Sequence, residues 1–464
     1  FAAVDITSHT FEAYQIFAGD LNEGTLSNVT WGHNVTTATL LNYLKTANAA
    51  YSACTDAKGV AEVLSNNPSL KYDFAKIAAD HVTGTAMATG TGSVTLPSAG
   101  YYLIVDTTDV ANKHDAKNLS LLQVSGATTV TPQVKTDIPT LEKKVKDIND
   151  TTGVKSDWQD SADWDIGDKV PFQLTGTVAS DYKEYKAAYQ LVFHDTLSAG
   201  LTFDENSVKV YTNDSTDPIS ADQYTVTYPA TDGHTFDVTI KNVKALDGTV
   251  KKIRVEYEAT LNEHAAIGSK GNPNEMFMEF SNNPNSTQGG EKGETPKDKV
   301  IVFTYKAIVN KKDSSDNPLT GAGFTLYKRV NGNYEPVTKV LGTENGGTTF
   351  TFTGLDDGEY KLEETTTPEG YNTMAPIEFK IEATHDETSA DPQLNTLTGN
   401  KLSGEVLFTP KTTEGTLETD VKNYKGSELP ETGGMGTTVL YAAGTLMILA
   451  AAAFLVMKKK AESK

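Results

Sequence analysis

Few residues in the chain have the types and spacings that common catalytic or metal sites require. Cys54 is the one cysteine, so no internal disulfide can form, and no cysteine–histidine cluster has zinc-ligand spacing. Scattered aspartates and glutamates would permit a glycosidase pair, but no motif assembles one. The sequence therefore predicts no metal site and no cofactor, and it disfavours an enzyme.

The clearest chemical signal lies near the C-terminal end. The pentapeptide Leu429-Pro430-Glu431-Thr432-Gly433 precedes an uncharged, apolar run from Thr437 to Met457, and Lys458-Lys459-Lys460 follows at once. A run of this length can cross a bilayer core of about 30 Å as a helix. The basic tail is then expected in the cytoplasm, and everything before the run outside the cell.

This order of pentapeptide, apolar run and basic tail resembles the LPxTG sorting signal of Gram-positive surface proteins. The resemblance implies a sortase substrate. The sortase cysteine would attack the Thr432 carbonyl, release the residues from Gly433 onward and hold the rest as a thioester. A single-pass membrane anchor with an ordinary linker is the alternative, and it leaves the pentapeptide unexplained.

The elements that precede this signal are mostly short strands. Apolar and polar residues alternate in many segments between turn residues, for example over Lys169–Val178 and Lys252–Leu261. Leucines and valines at helical spacing predict helices between Thr37 and Asp80. The 464 residues suffice for about three domains. We therefore expect a mostly β protein of serial, Ig-like β-sandwiches, the first with helical insertions, and a C-terminal transmembrane helix.

The expected domains follow from composition shifts along the chain. A linker is predicted at Pro132–Pro139, and a second near Asn282–Lys299, where asparagine, glycine and proline are frequent. The predicted units are residues 1–138, 139–300 and 301–426, followed by the sorting signal in residues 427–464.

The third domain contains the motifs Ile308–Asp313, Leu319–Phe324 and Tyr360-Lys-Leu-Glu-Glu-Thr365. They resemble the Cna B-type domain of Gram-positive pilins, with its YxLxET box. In that family a first-strand lysine, the glutamate of the box and a last-strand asparagine form an intramolecular isopeptide bond. The resemblance implies Lys311, Glu364 and Asn423 in these roles.

Burial explains why such a bond needs these residue types. A lysine amine is nucleophilic only when neutral, and an apolar core lowers its pKa. The same burial raises a carboxyl pKa, so a protonated acid can polarise the amide and relay protons while ammonia leaves.

The second domain resembles the Cna A-type, isopeptide-forming D2 domain of fimbrial shaft proteins. The resemblance rests on four segments: Pro139–Val145, Gly167–Phe172, Asp195–Leu201 and Gly271–Pro284. It implies a first-strand lysine, an aspartate, matched by Asp195, and an asparagine on the penultimate strand.

Alternation decides between neighbouring candidates in this domain. Lys143 shares a strand face with Leu141 and Val145, which favours it over Lys144. Asn274 begins a strand on the parity of its buried methionines and is our choice for the asparagine. Asn282 has the same parity and Asn262 ends the preceding strand, so both remain alternatives.

The first domain contains a weak repeat of the third, since Ala99–Asp106 resembles Asp357–Glu364. Val105 is read as standing where Glu364 stands in the repeat, and no lysine lies within Val4–Ser8. We therefore expect no isopeptide bond in this domain.

Pilins of this family carry an acceptor lysine in a Val/Thr-Pro-Lys context near the end of the first domain. Here the run is Val130-Thr-Pro-Gln133-Val-Lys135, so Gln133 occupies the usual position. Lys135 lies two residues later, which keeps the same strand face. The resemblance therefore implies Lys135 as the inter-subunit acceptor.

The resemblance covers nearly the whole chain and implies the backbone subunit of a covalently polymerised pilus, used in adhesion and colonisation. A monomeric wall-anchored adhesin or a basal or ancillary pilin is the alternative.

Expected partners are class C and housekeeping sortases, identical subunits, peptidoglycan, and tip and base pilins. A net charge of -21 argues against nucleic acid. The expected location is the cell wall and the cell-surface pilus.

Overall fold

A computed structural model describes residues 2–337 and 341–426, together with Gly444 and Met447. The pentapeptide Leu429–Gly433 lies outside the described residues, and so does the predicted span apart from those two positions. Among the helices of the described part, none is long and apolar enough to cross a membrane.

The first part of the chain is one main sheet covered on one face by three helices. Its elements are β1 (Ala2–Ala3), β2 (Thr10–Asn22), β3 (Thr25–Trp31), α1 (Thr37–Ala47), α2 (Ala57–Asn66), α3 (Lys71–His81), β4 (Ala88–Thr91), β5 (Val94–Thr95), β6 (Gly100–Asp106), β7 (Leu121–Ser125), β8 (Thr129–Val130) and β9 (Asp137–Ile138). The main sheet has the order β3-β2-β6-β7, with β4 also on β2. Leu40 and Leu44 of α1 pack on Ile16, Phe17 and Leu103 of the sheet, as the helical spacing predicts.

The second part consists of two facing sheets. Its strands are β10 (Leu141–Val145), β11 (Ile148–Asn149), β12 (Val154–Lys155), β13 (Ser161–Asp163), β14 (Lys169–Thr177), β15 (Leu191–Leu197), β16 (Leu201–Thr212), β17 (Tyr224–Thr227), β18 (Phe236–Ile240), β19 (Lys252–Leu261), β20 (Asn272–Ser281), β21 (Lys292–Glu294) and β22 (Asp298–Phe303). One sheet has the order β10-β14-β19-β16 and the other β13-β22-β20-β15-β18-β17, with β21 on β20. Strict alternation in β14 and β19 buries every second residue between the sheets.

The third part again consists of two sheets, each of five strands. Its strands are β23 (Tyr305–Asp313), β24 (Gly323–Val330), β25 (Asn333–Pro336), β26 (Leu341–Glu344), β27 (Thr349–Leu355), β28 (Gly358–Thr366), β29 (Ile377–His385), β30 (Leu394–Ser403), β31 (Thr409–Lys411) and β32 (Thr416–Asn423). The orders are β26-β27-β23-β32-β31 and β25-β24-β28-β29-β30. The first and last strands, β23 and β32, are parallel neighbours. The expected mostly β architecture of serial domains is confirmed.

The segment Asn282–Lys299, predicted as a linker, is packed against the first part of the chain. Asn282 is fully buried, and its Nδ2 donates to the carbonyl of Val110 at 2.7 Å. Lys117 N–H donates to the Asn282 carbonyl at 2.8 Å. β22 continues across the boundary predicted at residues 300/301, and β23 follows it after Thr304 alone.

Candidate isopeptide sites

Lys311 and Asn423 come from neighbouring strands of one sheet. The parallel register of β23 and β32 pairs Lys311 with Val421 and Asp313 with Asn423. Alternation in β23 turns Ala307, Val309 and Lys311 inward, so Lys311 is only 1% exposed, like Asn423. The Lys311 amine therefore contacts the Asn423 Oδ1 atom, although 112 positions separate the two residues.

Glu364 reaches the same point from the opposite sheet. Tyr360, Leu362 and Glu364 alternate inward on β28. Asn423 Nδ2 donates to both Glu364 oxygens at 2.9 Å, and Lys311 Nζ lies 3.3 Å from Glu364 Oε1. The three residues predicted from the Cna B-type resemblance are thus in mutual contact.

The surroundings of Lys311 favour its neutral amine. The Nζ atom lies 5.7 Å from the centroid of the Phe324 ring. Burial lowers the pKa of Lys311, and the nearby Glu364 charge opposes this shift without cancelling it. A neutral amine at an amide, with a carboxyl group hydrogen-bonded to that amide, is what exchange of ammonia for lysine requires.

The second domain assembles a comparable set. Lys143 on β10 and Asp195 on β15 are fully buried, and Lys143 Nζ lies 2.5 Å from Asp195 Oδ2. Asn274 on β20 lies opposite Leu197 of β15 and is also fully buried. Its Nδ2 donates to the Tyr257 hydroxyl at 2.6 Å, and Lys143 Nζ donates to the same hydroxyl at 3.2 Å. Tyr257 therefore joins the amine to the amide.

Tyr257 is the residue of this site that the sequence analysis did not single out. Its hydroxyl also donates to Asp195 Oδ2 at 2.9 Å. The available signal was parity, because Ile253, Val255 and Tyr257 alternate inward on β19. That signal marks a buried aromatic residue but does not show which polar groups its hydroxyl meets.

Burial controls the ionisation of this second set. It lowers the pKa of Lys143 despite the opposing charge of Asp195, and it raises the pKa of Asp195 despite Lys143. Both shifts favour the uncharged amine beside the protonated acid. Within the described residues, the Oδ1 atoms of Asp195 and Asn274 are buried without a hydrogen-bond partner.

The alternative residues lie elsewhere. Lys144 points to the other face of β10, where its Nζ lies 2.6 Å from Asp160. Asn282 donates to backbone carbonyls of the first domain, and Asn262 donates to Ala199 and Thr202. The structure brings only Asn274 of the three asparagines to Lys143 and Asp195.

In the first domain the register of the repeat corrects our alignment. Asp106 pairs with Phe11 as Glu364 pairs with Phe324, so Asp106 and not Val105 occupies the acid position. A shift of one residue along a strand reverses the face of the side chain. Val105 accordingly packs against the helices on the opposite face of the sheet.

The partner of Asp106 is a histidine. His9 is fully buried, with its Nδ1 at 2.6 Å from Asp106 and its Nε2 at 2.9 Å from Asp115. Burial disfavours the charged imidazole, but the two carboxylates outweigh this effect and raise the pKa of His9. The acid position therefore holds an ion pair, and no lysine amine contacts it among the described residues.

Lys135 lies at the junction of the first and second domains. Its side chain is exposed, and its backbone N–H donates to Asn118 Oδ1 at 2.7 Å. Thr136, the next residue, is fully buried and donates from its hydroxyl to Asp181 at 2.9 Å. The exposed Lys135 side chain thus extends from a backbone segment that hydrogen bonds fix at Lys135 and at Thr136.

Serial β-domains that bury contacting lysine, acid and asparagine residues are features of the pilin class of bacterial surface proteins. Family models match three parts of the chain. Residues 166–284 match the Gram-positive pilin backbone subunit 2, Cna-B-like domain, and residues 306–393 match a prealbumin-like fold domain. Residues 421–464 match the LPXTG cell wall anchor motif. The Cna-B-like description of the second domain differs from the Cna A-type that we expected there.

The T6 relative agrees with these matches. The chain is 26% identical over 397 residues to the trypsin-resistant surface T6 protein of Streptococcus pyogenes, covering 71% of this chain and 70% of the relative. The solved structure of the T6 backbone pilin of serotype M6 Streptococcus pyogenes has the same fold, with a TM-score of 0.55 and 17% identity over 92% of this chain and 98% of that one. The full-length major pilin SpaD of Corynebacterium diphtheriae gives a TM-score of 0.45 at 20% identity, covering 91% and 90%.

This chain is similar to the backbone subunits of sortase-assembled Gram-positive pili, and the pilin-related family models, the anchor match and the T6 relative support that class. It is a structural shaft subunit of the cell-wall-anchored surface pilus, as the sequence analysis expected.

Proposed function

We propose that sortase joins these subunits head to tail through an amide between Thr432 of one subunit and Lys135 of the next. The second and third domains each close an internal amide, Lys143–Asn274 and Lys311–Asn423. The internal bonds are supported most strongly by the mutual contact of the buried Lys311, Glu364 and Asn423.

In the third domain the neutral Lys311 amine attacks the side-chain carbonyl carbon of Asn423. Glu364, which contacts both nitrogens, takes a proton from the attacking amine as the tetrahedral adduct forms and passes it to the amide nitrogen. The amide nitrogen of Asn423 leaves as ammonia once it has received a proton. One C–N bond breaks and one forms, so neither oxidant nor cofactor is needed.

In the second domain Asp195 has the role of Glu364, and the Tyr257 hydroxyl assists. This hydroxyl contacts the amine, the acid and the leaving amide nitrogen. It can therefore carry a proton from the acid to the departing nitrogen without rearrangement of the core.

Between subunits, the Thr432 acyl-enzyme supplies the carbonyl carbon and Lys135 supplies the amine. The exposed side chain of Lys135 is accessible to an enzyme-bound partner, whereas Lys143 is enclosed. Class C sortase is the expected polymerising enzyme, and the housekeeping sortase transfers the finished polymer to peptidoglycan.

The internal bonds are tested by the intact mass of the chain and by its proteolytic peptides. We expect a mass below that of the sequence by two ammonia molecules, and one branched peptide for each lysine–asparagine pair. A mass equal to that of the sequence would refute both bonds. A mass lower by one ammonia would mean that only one of the two bonds forms. The Streptococcus pyogenes relative is named for trypsin resistance, and internal amides would give this chain the same property.

A further inference from the structure

Two of the eight histidines of the chain converge with two aspartates on the outer face of the second domain. His194 lies on β15 beside Asp195, but alternation turns it away from the isopeptide site. Asp237 is its direct partner on β18. Asp232 and His234 come from the loop that leads into β18. The cluster thus joins a loop to two central strands.

The potential ligand atoms surround one point. His194 Nδ1 lies 2.8 Å from Asp237 Oδ1, and His234 Nδ1 lies 2.8 Å from Asp232 Oδ1. The cross distances, His194 to Asp232 and His234 to Asp237, are both 3.8 Å. One ligand atom from each residue lies within 4.8 Å of the others. Tetrahedral zinc with bonds of about 2.1 Å separates its ligand atoms by roughly 3.4 Å, so little movement is needed.

Simple ion pairing accounts for only part of this arrangement. Although His234 Nδ1 is close to Asp232, the pair lacks the direction of a hydrogen bond, and this buried nitrogen has no hydrogen-bond partner among the described residues. His194 Nδ1 is hydrogen-bonded to Asp237 Oδ1, whereas His234 Nδ1 faces Asp232 without a hydrogen bond and is available to a shared ion.

The far side of His194 is also arranged for a ligand role. Its Nε2 lies 3.7 Å from Glu279 Oε2, too long for a hydrogen bond, and Lys292 holds Glu279 at 2.8 Å. Phe277 stacks on the ring with centroids 4.7 Å apart. A histidine that binds metal through one nitrogen commonly directs the other towards a carboxylate, which fixes its orientation.

Charge and access complete the argument. Asp232, Asp237 and Glu279 bring three carboxylates to two imidazoles, with Lys292 as the near cation. The His194 side chain is 7% exposed, whereas that of Asp232 is 46% exposed. A cation can therefore enter from the loop side while the strand ligand stays rigid.

We propose that His194, Asp232, His234 and Asp237 bind one Zn²⁺ ion, which fastens the loop before β18 to the sheet. Two imidazoles and two carboxylates suit zinc better than calcium, which prefers six to eight oxygens. The sequence analysis expected no metal because it used spacing along the chain, whereas β-pairing supplies His194 from a distance of about forty residues.

The test uses the purified full-length chain in detergent, freed of metal with a chelator and titrated calorimetrically with ZnCl₂. We expect one Zn²⁺ per chain, a higher melting temperature, and weaker binding of Ca²⁺. Addition of Co²⁺ should give the visible absorption of a four-coordinate site. Failure to bind Zn²⁺, or equal affinity for Ca²⁺, would overturn the proposal.

Variants locate the site. His234→Ala should abolish calorimetric Zn²⁺ binding, and Glu279→Gln should weaken it about 10–100-fold, as loss of an orienting carboxylate does elsewhere. His264→Ala is the matched control, because His264 is an exposed histidine of the same domain. Unchanged binding in His234→Ala, or equal loss in His264→Ala, would contradict the assignment. The His234 variant is preferred to one of His194, since His194 is part of the packed sheet.

Discussion

One strand position in the first and third domains holds an acid, and its neighbours decide what that acid can do. Glu364 contacts a lysine and an asparagine, whereas Asp106 contacts His9. In the proposed reaction the amine becomes part of the product, so a histidine cannot replace the lysine. The acid alone therefore does not define an isopeptide site.

Replacement of Glu364 by alanine should leave the third domain folded but without its internal amide, because the proton relay is lost. The cross-link closes a loop of 112 positions. By analogy with disulfides, its loss should cost about 4–5 kcal/mol of unfolding free energy. Intact mass should show one retained ammonia, and calorimetry should show a lower melting temperature. A branched Lys311–Asn423 peptide in a digest of this variant would exclude Glu364 as the acid.

Replacement of Tyr257 by phenylalanine should slow the bond in the second domain, because the hydroxyl that links amine, acid and amide is removed. The measurement is the fraction of chains that have lost ammonia from Asn274, followed as a function of time after synthesis. Tyr189→Phe, in the same core but away from Lys143, is the control. Equal rates in the two variants would assign Tyr257 a packing role only.

At the scale of strands, the family resemblance predicted the residues of the third-domain site, and alternation chose between neighbouring candidates in the second domain. Parity alone selected Lys143 over Lys144 and placed Asn274 inward. Parity could not give the Tyr257 contacts, which depend on the distance between two sheets. The acid position of the first domain was wrong by one residue, although the repeat of Asp357–Glu364 in Ala99–Asp106 itself pairs Asp106 with Glu364. The segment Asn282–Lys299 was predicted as a linker from its composition. Composition cannot reveal that its asparagines form contacts between domains.

Several aspartates cluster at the junction of the second and third domains. The Nζ atom of Lys328 on β24 lies 2.8 Å from Oδ2 of Asp150, 2.6 Å from Oδ2 of Asp165 and 3.2 Å from Oδ2 of Asp356. Burial, followed by the charges of nearby Asp163 and Asp357, raises the pKa of Asp147 to about 9. Burial and Asp163 raise the pKa of Asp357 to about 6.

Acidification should therefore stabilise this junction. Both folded-state pKa values exceed the ordinary aspartate value, so the folded junction binds more protons than the unfolded chain. The stabilisation is complete below about pH 4, and it is lost as pH rises through about 6 for Asp357 and about 9 for Asp147. We expect a higher melting temperature at pH 6 than at pH 9. Asp147→Asn should reduce that difference, and an unchanged difference would show that other groups cause it.

At the scale of the whole molecule, polymerisation should need Lys135 on one subunit and Thr432 on the next. Lys135→Arg keeps the charge but removes the reactive amine. We expect the high-molecular-weight ladder of wall extracts to disappear from a denaturing gel while monomer remains wall-bound. Lys155→Arg, which changes an exposed lysine of the second domain, should leave the ladder intact. A ladder that persists in Lys135→Arg would assign the acceptor to another lysine.

The parallel pairing of β23 with β32 has a mechanical consequence for a fibre under tension. The pull enters the third domain at the start of its first strand and leaves at the end of its last, so the two neighbours are drawn past each other in opposite directions. In this shear geometry the ladder hydrogen bonds share the load, whereas a zipper geometry would break them one at a time. Even before any covalent bond forms, the topology of this domain resists stretching at the strands that carry the load.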